Sequence, residues 1–138
     1  MAITLNHAII HTIDPAATAA SYVETLGLAQ TRKLGVFTVV DVGPTSLDFL
    51  PGDGAVSPRR FAFLVSEAEF DAIFARIQKN GAPDWTDPAR KEQGAVNRWD
   101  DGLGVYFKDP NGPFLEILTR PYGSSGLGPK HPNPLLLS

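Results

Sequence analysis

Hydrophobic and polar positions follow the same order in two halves of the chain. In the first half, alternation over residues 3–13 predicts a strand, and Asp14 is a good N-cap for a helix that ends near Gly27. Apolar runs at 34–42 and 45–50 predict two further strands. Alternate side chains of a strand share one face, so one face of the first strand carries Leu5, His7, Ile9 and His11.

The second half repeats this order with a clearer helix. Residues 59–65 predict a strand, and Ser66 with Glu69 forms the pattern of a capping box. Residues 103–107 and 114–119 predict a hairpin, because the turn sequence Asp-Pro-Asn-Gly stands between them. The helix in between has apolar side chains spaced by three and four residues, at Phe70, Ile73, Phe74 and Ile77.

The repeat sets the predicted domain organisation. We expect one domain over 1–122, with module one at 3–50, a linker rich in Gly and Pro at 51–58, and module two at 59–120. The second module is longer, and its extra residues fall at 84–101, where short strands are predicted at 84–86 and 94–99. Residues 123–138 form a tail rich in Gly, Pro and Ser, which we expect to be mobile or draped over a surface. The apolar end of this tail, Leu135 to Leu137, could instead dock on a partner subunit.

The two modules place polar residues at matching positions. His7 of the first module aligns with Arg60 of the second, and Asp48 aligns with Glu116. Both carboxylates are flanked by apolar residues, which indicates that each points to the opposite strand face and needs a partner there.

Composition narrows the class of protein. The chain has 138 residues, and 43% of them are hydrophobic, as expected for a soluble globular domain. A net charge of −3 gives no basic patch, so neither nucleic acid nor a membrane is an expected partner. Cysteine is absent, which excludes disulfides and thiolate metal sites. No signal peptide or membrane-spanning run is present in the sequence, so the expected location is the cytoplasm.

Two motifs resemble the vicinal oxygen chelate superfamily, which includes glyoxalase I, bleomycin-resistance proteins, fosfomycin-resistance enzymes and extradiol dioxygenases. The first motif is Leu5-Asn6-His7-Ala8-Ile9-Ile10, followed by a helix that ends in Leu26-Gly27-Leu28. The second runs from Gly104 through Asp109-Pro110-Asn111-Gly112 to Leu115-Glu116-Ile117. The resemblance covers residues 3–120, and the chain looks most similar to small single-domain members of the superfamily. It implies an α+β fold of two βαβββ modules, which form an open β-barrel around a cleft with helices outside, and a homodimer.

The resemblance also implies a metal site. By position, His7 is the first-strand ligand of module one and Glu116 the last-strand ligand of module two. Asp48 lies where glyoxalase I-like members have a carboxylate, and it is a candidate ligand or catalytic base. His11 is a candidate substitute ligand or ligand-binding residue. The implied cofactor is Fe, Mn, Ni or Zn, with absence of a metal as the alternative.

Arg60 departs from the family pattern, which has a histidine at this position. Arginine stays protonated and has no lone pair to donate to a metal. At about 4 Å and an effective dielectric constant near 20, repulsion between a guanidinium and a metal cation is roughly 4 kcal/mol per unit charge. Arg60 is better suited to pair with Glu116 or Asp48, or to bind an anionic ligand.

Three functions follow from these residues. The first is a metal-dependent lyase or ring-cleaving dioxygenase-like enzyme, with Asp48 and Tyr106 as catalytic residues. The second is a metal-free protein that binds a small molecule, with Arg60 as its anion-binding residue. In the third, the cleft has become ordinary core. Candidate ligand-binding residues are Arg60, His11, Trp99 and Phe114, although strand and aromatic positions of this kind are more often packing residues.

Overall fold

The structure is a computed structural model that describes residues 3–52, 60–80, 84–85, 96–108, 114–124 and 130–136. The chain divides into two compact units, one with four strands and one helix and the other with the same set. The first unit contains β1 (His7–Thr12), α1 (Pro15–Leu26), β2 (Arg32–Leu34), β3 (Phe37–Val42) and β4 (Thr45–Pro51). The second contains β5 (Phe61–Leu64), α2 (Glu67–Lys79), β6 (Asp84–Trp85), β7 (Gly104–Lys108) and β8 (Phe114–Leu118).

The two sheets have the same topology. Their strand orders are β1-β4-β3-β2 and β5-β8-β7-β6, and in each the first strand runs parallel to the last. The remaining pairs are antiparallel. The predicted α+β class and the two βαβββ modules are therefore confirmed.

The helix termini follow their sequence signals. Asp14 accepts a hydrogen bond from the backbone N–H of Ala17, and Gly27 ends α1 in the left-handed conformation, with φ of 70°. In α2, Ser66 and Glu69 form the complete capping box.

Each unit buries an apolar set of its own. In the first unit α1 packs on β3 and β4, and the Tyr22 and Phe49 rings meet edge to face with centroids 5.1 Å apart. In the second unit α2 buries Phe70, Ile73 and Ile77. The most deeply buried apolar residues of the second sheet are Val105 and Ile117.

Two expectations about elements differ from the structure. The predicted strand over 34–42 is two strands, because Gly35 at φ of 58° turns the chain between Leu34 and Phe37. Of the predicted strand over 94–99, the described residues 96–99 contain one bridge, between Asn97 and Gly104, and a 3-10 turn lies at Trp99–Asp101. The predicted linker at 51–58 lies outside the described residues, except for residues 51 and 52.

The described part of the tail is held to the second unit by hydrogen bonds. His131 donates its N–H to Asp101 and accepts from the N–H of Asp100, and a short 3-10 turn follows at Pro134–Leu136. Among the residues that the structure describes, no helix is long and apolar enough to cross a membrane.

Candidate functional site

Strand register places His7 and Arg60 at equivalent positions in the two sheets. Asp48 of β4 pairs with Ile9 of β1, and His7 lies two residues before Ile9 on the same face. Glu116 of β8 pairs with Ala62 of β5, and Arg60 lies two residues before Ala62. The alignment made from the sequence therefore has a structural counterpart.

The first unit has a pocket of about 390 Å³ on the face that carries His7 and Asp48. His7 is exposed, and its Nδ1 is 2.7 Å from the side-chain oxygen of Asn6. Because that oxygen can only accept, Nδ1 carries the proton and the lone pair of the other ring nitrogen, Nε2, is left available. The pocket is lined by Asn6, His7, Arg32, Leu34, Phe37, Asp41, Pro44, Thr45, Ser46 and Asp48.

Asp48 is buried in this pocket and has a local hydrogen-bond partner. The Ser46 hydroxyl donates to Oδ1 of Asp48 at 2.8 Å. On the same sheet face, Arg32 donates twice to Asp41, at 2.9 and 3.1 Å. This bond to Arg32 holds the pKa of Asp41 below its usual value, and the pair occupies the guanidinium of Arg32.

The second unit has a separate pocket of about 230 Å³ that contains Arg60 and Glu116. Arg60 is exposed at its edge, and no ion pair joins Arg60 to Glu116 or to another residue of the described ranges. Glu116 therefore does not form the expected ion pair with Arg60, and its carboxylate has a different partner. The pocket is lined by Arg60, Phe61, Ala62, Tyr106, Leu115, Glu116, Tyr122 and Leu135.

That partner is a pair of tyrosines. Tyr122 donates its hydroxyl proton to Oε1 of Glu116 at 2.8 Å, and the hydroxyls of Tyr106 and Tyr122 are hydrogen-bonded to each other. A phenol has only one proton to donate, so Tyr106 must donate to Tyr122. The result is a directed chain from Tyr106 through Tyr122 to the carboxylate. Glu116 is only 5% exposed, so this chain provides the partner that a buried carboxylate requires.

Burial and mutual contact raise the pKa values of all three groups. Burial raises the pKa of Glu116, and the two neighbouring phenols, Tyr122 more than Tyr106, oppose this only in part. Burial raises the pKa of Tyr122 to about 12, while the bond accepted from Tyr106 acts against the rise. Burial, with the bond to Tyr122, raises the pKa of Tyr106 far above its ordinary value. Both phenols are therefore protonated donors at neutral pH.

The remaining predicted site residues have different positions. Trp99 packs edge to face on both tyrosines, with ring centroids 6.1 Å from Tyr106 and 6.5 Å from Tyr122. His11 is exposed on β1 and does not line either of the two pockets. Phe114 begins β8, but its side chain lies outside the described residues.

Sequence reasoning missed Tyr122 and Leu135 as pocket residues. The sequence indicates that an inward Glu116 needs a partner, and it suggests either a metal or Arg60 for that role. A tyrosine six residues after Glu116, behind the turn that Pro121 begins, was an available signal. Leu135 carried no comparable signal, since its position depends on how the tail folds back.

Comparison with known proteins agrees with this architecture. The sequence model of the Glyoxalase/Bleomycin resistance protein/Dioxygenase superfamily matches residues 4–117. The chain belongs to this superfamily. No functionally curated protein matches it.

Two solved structures are similar to this superfamily member over most of its length. "Oxidase ChaP-H1" is 49% identical over 88% of this chain and 99% of its own, with a TM-score of 0.85. "Oxidase ChaP-H2" is 46% identical over 91% of this chain and 100% of its own, with a TM-score of 0.87. A lactoylglutathione lyase from Agrobacterium tumefaciens is 23% identical over 83% of this chain and 92% of its own, with a TM-score of 0.63, and shows the fold alone.

Superfamily members commonly use divalent metals, but the donor set of the second unit does not fit one. Its first-strand position holds Arg60, which is cationic and has no lone pair. Its carboxylate, Glu116, already accepts the proton of Tyr122. Across the described ranges, no three His, Asp or Glu side chains come together as a metal site. His7 alone is arranged as a metal-ligating histidine would be, with Nδ1 bonded to an oxygen.

Proposed function

We propose that this superfamily member binds a small aromatic anion carrying a hydroxyl group in the second-unit pocket, without using a metal. Arg60 binds the anionic group, and the Glu116–Tyr122–Tyr106 chain binds the hydroxyl. The proposal rests on one observation. Arg60 has no ion-pair partner among the described residues, and it lines the same pocket as the buried Glu116 carboxylate and two tyrosine phenols.

Arg60 is suited to the anionic group for two reasons. Its guanidinium presents planar donors that match a carboxylate or phenolate in a bidentate bond. Arg60 is also close enough to Tyr122 to lower the pKa of that phenol slightly, against the larger effect of burial. The cation therefore acts electrostatically on the same space in which the hydroxyl network lies.

The phenol chain is suited to a ligand hydroxyl. Tyr122 accepts from Tyr106 and donates to Glu116, and Glu116 still has an oxygen that can accept a ligand proton. Because Tyr122 is 40% exposed, a ligand can approach this chain from the pocket. Burial raises the pKa of Glu116, which makes that carboxyl a better base than a solvated one toward a bound phenol.

The apolar lining favours an aromatic body. Phe61, Leu115 and Leu135 provide the nonpolar surface of the pocket, and its volume of about 230 Å³ suits a ligand of one ring with small substituents. Trp99 packs edge to face against both tyrosine rings, which helps to hold them in place.

Calorimetric titration with three matched probes tests the proposal at about pH 6.5. Salicylate has both the anionic group and the hydroxyl, benzoate lacks the hydroxyl, and salicylamide lacks the charge. We expect salicylate to bind most tightly. Arg60→Gln should weaken salicylate by at least about ten-fold, the loss expected for a hydrogen bond to a charged group, and should leave salicylamide nearly unchanged.

Arg32→Gln is the matched control because it removes the same charge from the first unit, where Arg32 is paired with Asp41. Salicylate affinity should be retained in this variant. Equal affinity of wild type for the three probes would contradict the proposal. Loss of affinity in Arg32→Gln but not in Arg60→Gln would assign the ligand to the first-unit pocket instead.

A second candidate function is oxidation of the bound molecule. It is supported by the two similar structures, at 49% and 46% identity, that are named oxidases. Oxygen uptake by the protein with catechol or salicylate, with and without added ferrous iron, tests this candidate. Uptake that needs the protein but not Tyr122 or Glu116 would place the chemistry outside the second-unit pocket. A homodimer and a cytoplasmic location remain predictions, and light scattering of the purified protein tests the first.

A further inference from the structure

We propose that Asp100 and Asp101 are positioning residues that clamp the C-terminal segment 130–136 to the second unit, and that this clamp completes the ligand pocket. The inference rests on the proposed function for its ligand, but the clamp itself is tested separately. Asp100 and Asp101 do not line the candidate pocket, and segment 130–136 lies beyond residues 4–117, which the superfamily model matches.

The backbone at this point is held in an unfavourable conformation. Asp100 and Asp101 have φ values of 56° and 61°, in the left-handed region that side-chain-bearing residues rarely adopt. Aspartate tolerates this region better than most residues, and two in succession persist only where the surroundings hold them.

The left-handed conformation places the carboxylates of Asp100 and Asp101 where both accept hydrogen bonds from backbone N–H groups of the tail. Asp100 accepts from Gly123 at 3.0 Å and is only 3% exposed. Asp101 accepts from His131 at 2.9 Å and from Lys130 at 3.3 Å. The N–H of Asp100 also donates to the carbonyl oxygen of His131 at 2.8 Å. Two adjacent residues therefore bind the chain on both sides of residues 125–129.

The hydrogen bonds from the tail stabilise the charged form of the Asp101 carboxyl. The hydrogen bond from the N–H of His131 contributes most to lowering the pKa of Asp101, and burial acts in the opposite direction. The carboxylate is therefore ionised at neutral pH, and its bonds to the tail are charge-assisted.

The clamped segments carry two residues of the pocket lining. Tyr122 precedes Gly123, whose N–H is bound by Asp100. Leu135 lies four residues after His131, in a 3-10 turn that Asn133 caps by accepting from the N–H of Leu135 at 2.8 Å. Holding the tail thus fixes the phenol that contacts Glu116 and one apolar side of the pocket.

A pair of neighbouring leucines provides a matched test of the pocket wall. Leu135 and Leu136 are both 51% exposed, but only Leu135 lines the pocket. We expect Leu135→Ala to weaken salicylate binding about three- to ten-fold, as expected for the loss of part of a nonpolar contact, and Leu136→Ala to leave it unchanged. Equal effects of the two substitutions would overturn the assignment of Leu135.

The clamp is tested with Asp101→Gly and Asp101→Asn. Glycine keeps the left-handed conformation accessible but removes both acceptors, whereas asparagine keeps one neutral acceptor. In Asp101→Gly we expect faster hydrogen exchange at the amides of Lys130 and His131 and a salicylate affinity reduced about five-fold or more, because fewer molecules have a complete pocket. Asp101→Asn should be intermediate in both measurements. A merely structural residue would lower the melting temperature without changing affinity at temperatures where the protein is folded.

Failure of this inference can be told apart from failure of the proposed function. Unchanged exchange at Lys130 and His131 in Asp101→Gly would overturn the clamp, whatever the ligand does. Faster exchange with unchanged salicylate affinity would overturn its role in the pocket. If the wild type binds no probe, the proposed function is wrong, and the clamp is decided by methyl NOEs from Leu135 to other pocket side chains. These NOEs should be present in the wild type and lost in Asp101→Gly, and their persistence in the variant would overturn it.

Discussion

Tyr122→Phe tests the hydrogen-bond chain with the smallest change of shape. The substitution keeps the ring, and with it the packing on Trp99, but removes the oxygen that joins the other two groups. Glu116 loses its phenol donor, and the Tyr106 hydroxyl loses its acceptor. We therefore expect a loss of stability that is larger than removal of a surface hydroxyl would cause.

The size of the loss follows from burial. A hydrogen bond to a charged group contributes about 1.5–3 kcal/mol to stability when both partners are fully buried. Glu116 is 5% exposed but Tyr122 is 40% exposed, so water can replace part of the lost bond. We expect Tyr122→Phe to lower the free energy of unfolding by about 1 kcal/mol at neutral pH. The loss should be smaller at low pH, where a protonated Glu116 no longer forms a charge-assisted bond.

Urea unfolding followed by circular dichroism measures this effect, with Tyr106→Phe as the control. Tyr106 is the terminal donor of the chain, and its removal leaves the bond from Tyr122 to Glu116 in place. The control should therefore show a weaker dependence of its stability loss on pH than Tyr122→Phe. The reasoning is refuted if Tyr122→Phe unfolds at the wild-type urea concentration across the pH range, or if its loss grows as the pH falls.

Three further changes test other parts of the account. Burial raises the pKa of Glu116 above its value in the unfolded chain. The stability of the wild type should therefore fall as the pH rises from the unfolded pKa through the folded pKa of this group. Glu116→Gln should remove this slope when urea unfolding is measured between about pH 4 and pH 8. A Glu116→Gln slope equal to that of the wild type would contradict this. Phe49→Ala should lower the free energy of unfolding by about 3–5 kcal/mol, because Phe49 is fully buried against Tyr22, and a loss below about 1 kcal/mol would place it outside the core. Arg60→His should create or strengthen binding of Mn, Fe, Ni or Zn, seen as a metal-dependent rise in melting temperature, and no rise would mean that this position cannot contribute a metal ligand.

The fold could be predicted because local signals and the repeat agree. Asp14 with Gly27, and Ser66 with Glu69, mark helix ends by side-chain chemistry that acts within one turn. The match between Asp48 and Glu116 could be predicted too, since a polar residue between apolar neighbours on a strand has a defined face. These are short-range rules that need no knowledge of distant contacts.

Only part of the completed pocket could be predicted, because Leu135 and the bond between Tyr106 and Tyr122 depend on contacts distant in sequence. Tyr122 reaches Glu116 after the chain turns at Pro121, and Leu135 reaches the pocket after the tail is bound by Asp100 and Asp101. Two aspartates in the left-handed conformation leave no periodic pattern in the sequence. Glu116 is hydrogen-bonded to Tyr122 in place of the expected ion pair with Arg60.

Salicylate titration in the presence and absence of EDTA tests the central claim most directly. Arg60 is cationic and has no lone pair to donate to a metal, so the account predicts that binding to the wild type is the same in both conditions and is lost in Arg60→Gln. Binding that EDTA abolishes and a divalent metal restores would contradict the account and assign the site to a metal.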